Sequence, residues 1–297
     1  MAVARRTGLS AHQIRVWERR YQAVVPRRSA GGHRLYSEGD VERLLLLRQL
    51  IDAGHHIGQV AGLEPAQLRS LAAPGPRRGP VPGAAPAALD RCVDAARRLD
   101  ASTLEVELAH AHAEYGQHAL VEQLIAPLLT RIGELWHQGA LSIASEHLAS
   151  VVVRSFIARL HPAGASTTAA PTLLTTTPAG QRHELGALLA AHAALAAGWQ
   201  ALFLGADLPA GEIAAACGRT AARAVALSLV FPADDPQLPG ELARLRGQLD
   251  PQVLLLVGWR AAPAYQAAIA AAGGRIVADL ATFRRELDQQ RAALPLP

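Results

Sequence analysis

Apolar and polar positions follow three different patterns along the 297 residues. Leu120, Leu124, Leu128, Ile132 and Leu135 recur every three or four positions, and Leu148, Val151, Val152 and Phe156 continue that spacing. Side chains at these intervals share one helix face, so the stretch predicts amphipathic helices. Shorter helices fit 87–99 and 101–115. Four helices with short turns predict an antiparallel four-helix bundle. Downstream the pattern changes. Short apolar runs at Leu173–Thr176, Ala201–Leu204, Ala224–Val230, Val253–Val257 and Arg275–Ala278 alternate with Ala-rich helical stretches, and Gly198, Gly218 and Gly273 fall near the helix ends. That βαβαβ order predicts a doubly wound, Rossmann-like α/β domain, whose ligands bind at the carboxyl ends of the strands.

The first quarter has a third pattern. Ser10 is a good N-cap, and Ile14, Trp17 and Tyr21 share one face of the helix that follows it. Gly31 and Gly32 lie between short basic segments and suit a β-hairpin. A further helix opens at Ser37 and runs to about Ala53. Pro and Gly make up eight of the fourteen residues 73–86, which marks a linker. A second break covers His161–Pro171. The predicted organisation is a small module at 1–72, a linker at 73–86, a bundle at 87–162 and an α/β domain at 171–297.

Composition narrows the class. Half the residues are apolar and 18% are charged, enough apolar material for a buried core. The longest nearly uncharged apolar stretch, Ala187–Gly198, is twelve residues and contains His192. A membrane span needs about 20. With no secretory signal pattern at the start, the expectation is a soluble, cytoplasmic protein with no membrane partner. Cys92 and Cys217 are 125 positions apart and suggest neither a metal site nor a disulfide framework.

Charge is unevenly placed. Residues 1–72 hold 11 Arg and six acids, for +5, and the remainder holds 18 Arg and 19 acids, for −1. Within 1–36 there are eight Arg and one acid, Glu18. Such a cluster fits a phosphate-binding footprint, although charge alone fits a solvated face equally well. Arg15, Arg19 and Arg20 fall largely off the apolar helix face, where they could meet DNA.

The strings RVWERRY and GGHRLYS together resemble the MerR family of transcription regulators, because they supply both a DNA-reading helix and a wing. The resemblance implies a winged helix-turn-helix on double-stranded operator DNA. Arg15, Arg19 and Arg20 would then face the groove, with Arg27, Arg28, His33, Arg34 and Tyr36 on or beside the wing. Trp17 and Tyr36 suit core positions better than base contacts. With Met1-Ala2-Val3 at the start, most of the family's first helix is expected to be missing.

His183 lies in TTTPAGQRHELG, between the first strand and first helix of the α/β domain, where ligands bind. Taken alone, such a His is more often a capping or exposed residue. Gly186 follows it by three, Ser228 comes after 41 intervening residues, and Gly258 after 29 more. This spacing resembles the cobalamin-binding fold of methionine synthase and its relatives. The resemblance implies His183 as lower cobalt ligand, with the cofactor's nucleotide tail passing Ser228 and a Gly-Gly pair. Gln181 stands where that family commonly has an acid, and Trp259 where it has the second glycine. Trp259 is expected to obstruct the tail partially.

In the bundle, Trp136 is separated by nine residues from Glu146-His147. LWHQGALSIASEHLAS resembles the cap of the CarH-type, light-sensing branch of the MerR family. That resemblance covers nearly the whole chain and orders all three modules. It implies a non-enzymatic repressor using adenosylcobalamin, with Trp136 and Glu146 around the adenosyl group. It also implies a DNA-binding homotetramer in the dark that light converts to monomers. His137 is the expected upper cobalt ligand after illumination, and His147 the lesser candidate. Three alternatives stay open: a regulator that keeps the sensor fold without cobalamin, a corrinoid-binding enzyme component, and a photoreceptor that also holds a second tetrapyrrole near His110, His112 and His118.

Overall fold

The computed structural model describes residues 2–29, 31–52, 55, 57–72, 85–160 and 170–293. The expected linker and the second break therefore lie almost wholly outside the described residues. The chain divides into two compact units, Met1–Leu160 and His161–Pro297.

The first unit opens with α1 (Ala2–Thr7), so a six-residue helix stands where most of one was expected to be missing. Helix α2 (Ala11–Tyr21) starts at a reciprocal cap. Gln13 N donates to Ser10 Oγ at 3.0 Å, and Ser10 N donates to Gln13 Oε1 at 2.9 Å. Gln22 ends the helix in the left-handed region. Strands β1 (Arg27–Arg28) and β2 (Arg34–Leu35) pair antiparallel as the expected hairpin, and Gly32 supplies the positive φ of its turn. Then come α3 (Glu38–Asp52), α4 (Ile57–Val60) and α5 (Pro65–Ala72). Trp17, Leu44, Leu47, Leu50 and Leu68 form the buried centre of this module.

The bundle consists of α6 (Ala85–Arg97), α7 (Ala101–Ala119), α8 (Ala126–His137) and α9 (Ile143–Arg159). Asp100 and Ser142 cap α7 and α9. The heptad-like stripe from Leu120 predicted one regular helix. Instead Leu120–Ile125 is π-helical before α8 begins, although Leu120, Leu124 and Leu128 all remain buried. Helix α7 is also interrupted at Gly116, with φ 75° and ψ 170°.

The second unit carries five parallel strands in the order β4-β3-β5-β6-β7. These are β3 (Thr172–Thr176), β4 (Gln200–Phe203), β5 (Ala224–Ser228), β6 (Leu254–Gly258) and β7 (Arg275–Val277). Helices α10 (Leu185–Ala196), α11 (Ala210–Thr220), α12 (Leu238–Gln248), α13 (Gln266–Ala271) and α14 (Leu280–Ala293) connect and follow them. Val225, Leu255 and Leu256 are fully buried, as a sheet covered on both faces requires. From β3 the chain goes first to β4 on one side and later to β5 on the other. That reversal opens a crevice at the carboxyl ends of β3 and β5.

Within the first unit, His112 of α7 is enclosed by Gln13 of α2, 3.5 Å away, and by the edge-on ring of Phe156 from α9. Burial, with a smaller contribution from His12, lowers its pKa to about 4. Its folded pKa lies below its unfolded value, so its contribution to stability is complete above about pH 6.5 and is lost as pH falls toward 4. His112→Gln should remove roughly 3 kcal/mol of that pH dependence. Urea midpoints of both proteins at pH 7 and pH 4.5 check this, and parallel shifts with pH would refute it.

Candidate functional site

Helix α2 turns Ile14 and Trp17 inward and leaves Arg15, Arg19 and Arg20 exposed. On the hairpin, Arg27, Arg28 and His33 are exposed. A cleft between helix and wing is lined by Arg15, His33, Arg34 and Tyr36, among others. Glu18, the lone acid of the first 36 residues, organises this region. Arg34 Nε lies 2.9 and 2.8 Å from its two carboxylate oxygens, and the Tyr36 hydroxyl donates to it at 3.3 Å. Burial and the Glu18 carboxylate both raise the Tyr36 pKa, keeping the phenol protonated as a donor. Arg34 and Tyr36 therefore tie the wing to α2. Arg20 lies 3.8 Å from Glu114 of α7. Of the expected DNA-facing set, Arg15, Arg19, Arg27, Arg28 and His33 present an open basic surface, while Arg20, Arg34 and Tyr36 have partners within the protein.

The cap residues sit at two helix ends in the bundle. Trp136 and His137 close α8, their rings 4.7 Å apart at 45°. Glu146 lies in the first turn of α9, where a carboxylate is favoured by the helix dipole. It accepts from Ser150 Oγ at 2.8 Å, and His147 Nδ1 lies 2.5 Å from its other oxygen. Trp136 and Glu146 are half-buried, and His137 is exposed.

In the second unit the loop between β3 and α10 carries His183. Asp207 holds this loop: Gly180 N donates to its carboxylate at 2.8 Å, and its own N–H donates to Thr177 Oγ1 at 2.9 Å. Thr177 Oγ1 in turn donates to the Gln181 carbonyl. Gln181 is 1% exposed. Its Nε2 donates to Pro232 O and its Oε1 accepts from Val230 N, both at 3.1 Å. The Gln181 amide thus pins the loop to the chain leaving β5, and its two hydrogen bonds go to backbone rather than to His183. His183 is exposed, with the Phe231 ring edge-on at 6.3 Å.

Ser228, at the carboxyl end of β5, is 5% exposed, and among the described residues its Oγ has no hydrogen-bond partner. It faces Gly186 in the first turn of α10. A Cβ on Gly186 would collide with Ser228 Oγ and fall 3.0 Å from Trp259 Cδ2. The Trp259 ring therefore lies against the bare backbone of Gly186, and Trp259 itself has φ 81°, rare for a side chain of that size. Of the expected residues, Gly186, Ser228 and Trp259 come together, and Gly258 pairs with Ser228 across β5 and β6, while His183 lies on the loop after β3 with Phe231 as its ring neighbour.

These residues fit a corrinoid. No group of three or more His, Cys, Asp or Glu side chains among the described residues could hold a metal ion by itself. A corrin ring brings four of its metal's ligands, so one exposed imidazole suffices. The orphaned Ser228 hydroxyl and the bare Gly186 backbone suit a ligand packed edgewise into the crevice, with Trp259 as the one side chain in the way. Glu18, Asp207 and Phe231 were not singled out from sequence. Glu18 alone carried a clue, as the single acid in a basic segment.

Comparison with known proteins agrees with this layout. Residues 1–67 match the MerR HTH family regulatory protein model, and residues 88–161 match a B12 binding domain model. The chain is 32% identical over 263 residues to the HTH-type transcriptional repressor CarH of Myxococcus xanthus, covering 88% of each chain. It is 30% identical over 230 residues to CarA of the same organism, covering 77% of this chain and 75% of that one. In structure it resembles the Methanosarcina barkeri monomethylamine corrinoid protein, with a TM-score of 0.56 and 16% identity, covering 69% of this chain and 99% of that one. That likeness concerns the fold alone. Among the described residues no helix is long and apolar enough to cross a membrane. A MerR HTH module, a bundle that matches a B12 binding domain and a doubly wound α/β domain follow one another in a single chain, which belongs to the MerR-type transcriptional regulators with a B12-binding domain, the family of CarH and CarA.

Proposed function

We propose that this protein is an adenosylcobalamin-dependent, light-responsive transcriptional repressor that binds operator DNA as a dark tetramer. The observation that carries the reading is the pair of an exposed His183 on the loop after β3 and a buried, unpartnered Ser228 hydroxyl at the carboxyl end of β5. Bound adenosylcobalamin supplies a cobalt–carbon bond weak enough for visible light to break. His183 would hold the metal from below as a neutral imidazole. Ser228 and Gly186 would receive the nucleotide tail once the Trp259 ring swings aside. Trp136 and Glu146 would flank the adenosyl group in the dark. Four linked DNA modules bind far more tightly than one, through effective concentration. After illumination His137 would supply a further imidazole to the metal, with His147 the lesser candidate. The cytoplasm is where such a regulator would act.

A regulator that keeps the sensor fold without a corrinoid is the second reading. The Trp259 ring against Gly186 favours it. Incubation with adenosylcobalamin in darkness separates the two: the first reading expects a coloured protein with a His-ligated spectrum, and the second a colourless one. His183→Ala should abolish that spectrum and the light response together. Light-scattering mass of the loaded protein should fall from tetramer to monomer on illumination, and a mass indifferent to light would count against the mechanism.

Trp259→Gly clears the Gly186 cradle. Titration in the dark should then show adenosylcobalamin binding tightened roughly tenfold, about 1.4 kcal/mol. Weaker binding would mean that the indole is a contact rather than an obstacle.

On the DNA side, Arg28 is exposed on the wing, and among the described residues no hydrogen bond or ion pair of its side chain is seen. Arg28→Ala should weaken binding to all duplex sequences alike and reduce the slope of log affinity against log salt by about one. An unchanged slope removes the wing from the interface.

A further inference from the structure

The DNA module does not satisfy its own core. Trp17 is 1% exposed at its centre, yet its Nε1–H donates to the backbone carbonyl of Ala113 in bundle helix α7. In an uninterrupted helix that carbonyl would accept from the amide four residues on. Carbonyls in the last turn before a helix break lose that donor. Gly116 makes such a break three residues later, and no other residue type suits it. Its φ is 75°, and a Cβ there would collide with Ile51 Cγ2 of α3. The bundle helix is therefore broken against the DNA module, at the place that frees an acceptor for the tryptophan of the DNA-reading helix.

Further contacts run along the same seam. The rings of His12 and His110 stack at 6.2 Å and 19°. Gln13 meets His112, and Arg20 meets Glu114. His112 also touches Phe156 of α9, the helix whose first turn holds Glu146. Arg15 and Arg19 stay exposed throughout, so the seam grips the back of α2 and leaves its DNA face open.

We propose that the Gly116 break and the Trp17–Ala113 hydrogen bond form a latch that fixes the pose of the DNA-reading helix on the sensor bundle. Through the latch, a shift of α9 against α7 reaches α2 within one chain, whatever the oligomeric state and whatever ligand the sensor takes. The latch depends on the DNA-binding reading alone, not on cobalamin.

The test uses the full-length protein with His12→Cys and His110→Cys. An ethylene-bridged bis(methanethiosulfonate) joins these positions and is removed by reductant. Both native cysteines are buried and stay out of the reaction. The background protein should cross-link rapidly. Trp17→Phe keeps an aromatic side chain but removes the N–H together with the five-membered half of the indole, and it should slow cross-linking several-fold. Gly116→Ala should do the same. Failure of the background protein to cross-link, or an unchanged rate in the Trp17→Phe variant, would overturn the latch. The relay is tested with Phe156→Leu, far from DNA. In the open form this substitution should change affinity for mixed-sequence duplex DNA several-fold, and in the cross-linked form it should have no effect. An equal effect in both forms, or none in either, would overturn the relay.

Discussion

A buried donor must find an acceptor, and in the first unit one such requirement joins two modules. The indole N–H of Trp17 lies in the core of the DNA module, where an unmade hydrogen bond costs about 1–3 kcal/mol. Among the described residues the acceptor is a carbonyl of the bundle, that of Ala113. A module of some 72 residues has a small core, and the bundle helix completes it. Four residues of α2, His12, Gln13, Trp17 and Arg20, meet that helix, so the pose of α2 follows from how it is seated.

The second unit solves the opposite problem. Its crevice is framed by polar groups held firmly in place, with Gln181 and Asp207 bonded to backbone on both sides of the loop. Among the described residues of this unit, Ser228 at the end of β5 and Thr175 within β3 each keep a buried hydroxyl without a partner. A bonded loop beside the unpartnered Ser228 hydroxyl is an arrangement suited to a preformed site, because the loop fixes geometry while the hydroxyl stays available to a ligand.

Much of this was legible in the sequence, because the periodicities are driven by burial. All five strands lie within three residues of their expected ends. The hairpin around Gly31 and Gly32 follows from turn chemistry, and Ser10 from capping. The helix breaks were not legible. The stripe from Leu120 to Leu135 stays buried whether the backbone is α- or π-helical, so its spacing says nothing about the π-helix. Gly116 looks like any helical glycine until Ile51, 65 positions earlier in sequence, is placed against it. Glu18 was visible as an oddity of charge, but its partners come from a hairpin whose docking no local pattern encodes. Gln181 and Trp259 stood out only against the family they resemble, and the pattern could not say that Gln181 would turn toward backbone.

The backbone departures of the two units can be compared on the same physical footing. Residues held at positive φ without being glycine cost of order 1–3 kcal/mol and persist where surrounding structure over-determines them. Gly116 avoids that cost by being glycine, so the break in α7 carries little strain. Trp259 incurs the cost, at φ 81°, with a large ring pressed on the bare backbone of Gly186. A change that relaxes Trp259 returns free energy to the folded state, so an incoming ligand that turns the ring aside is opposed by lost packing and helped by released strain.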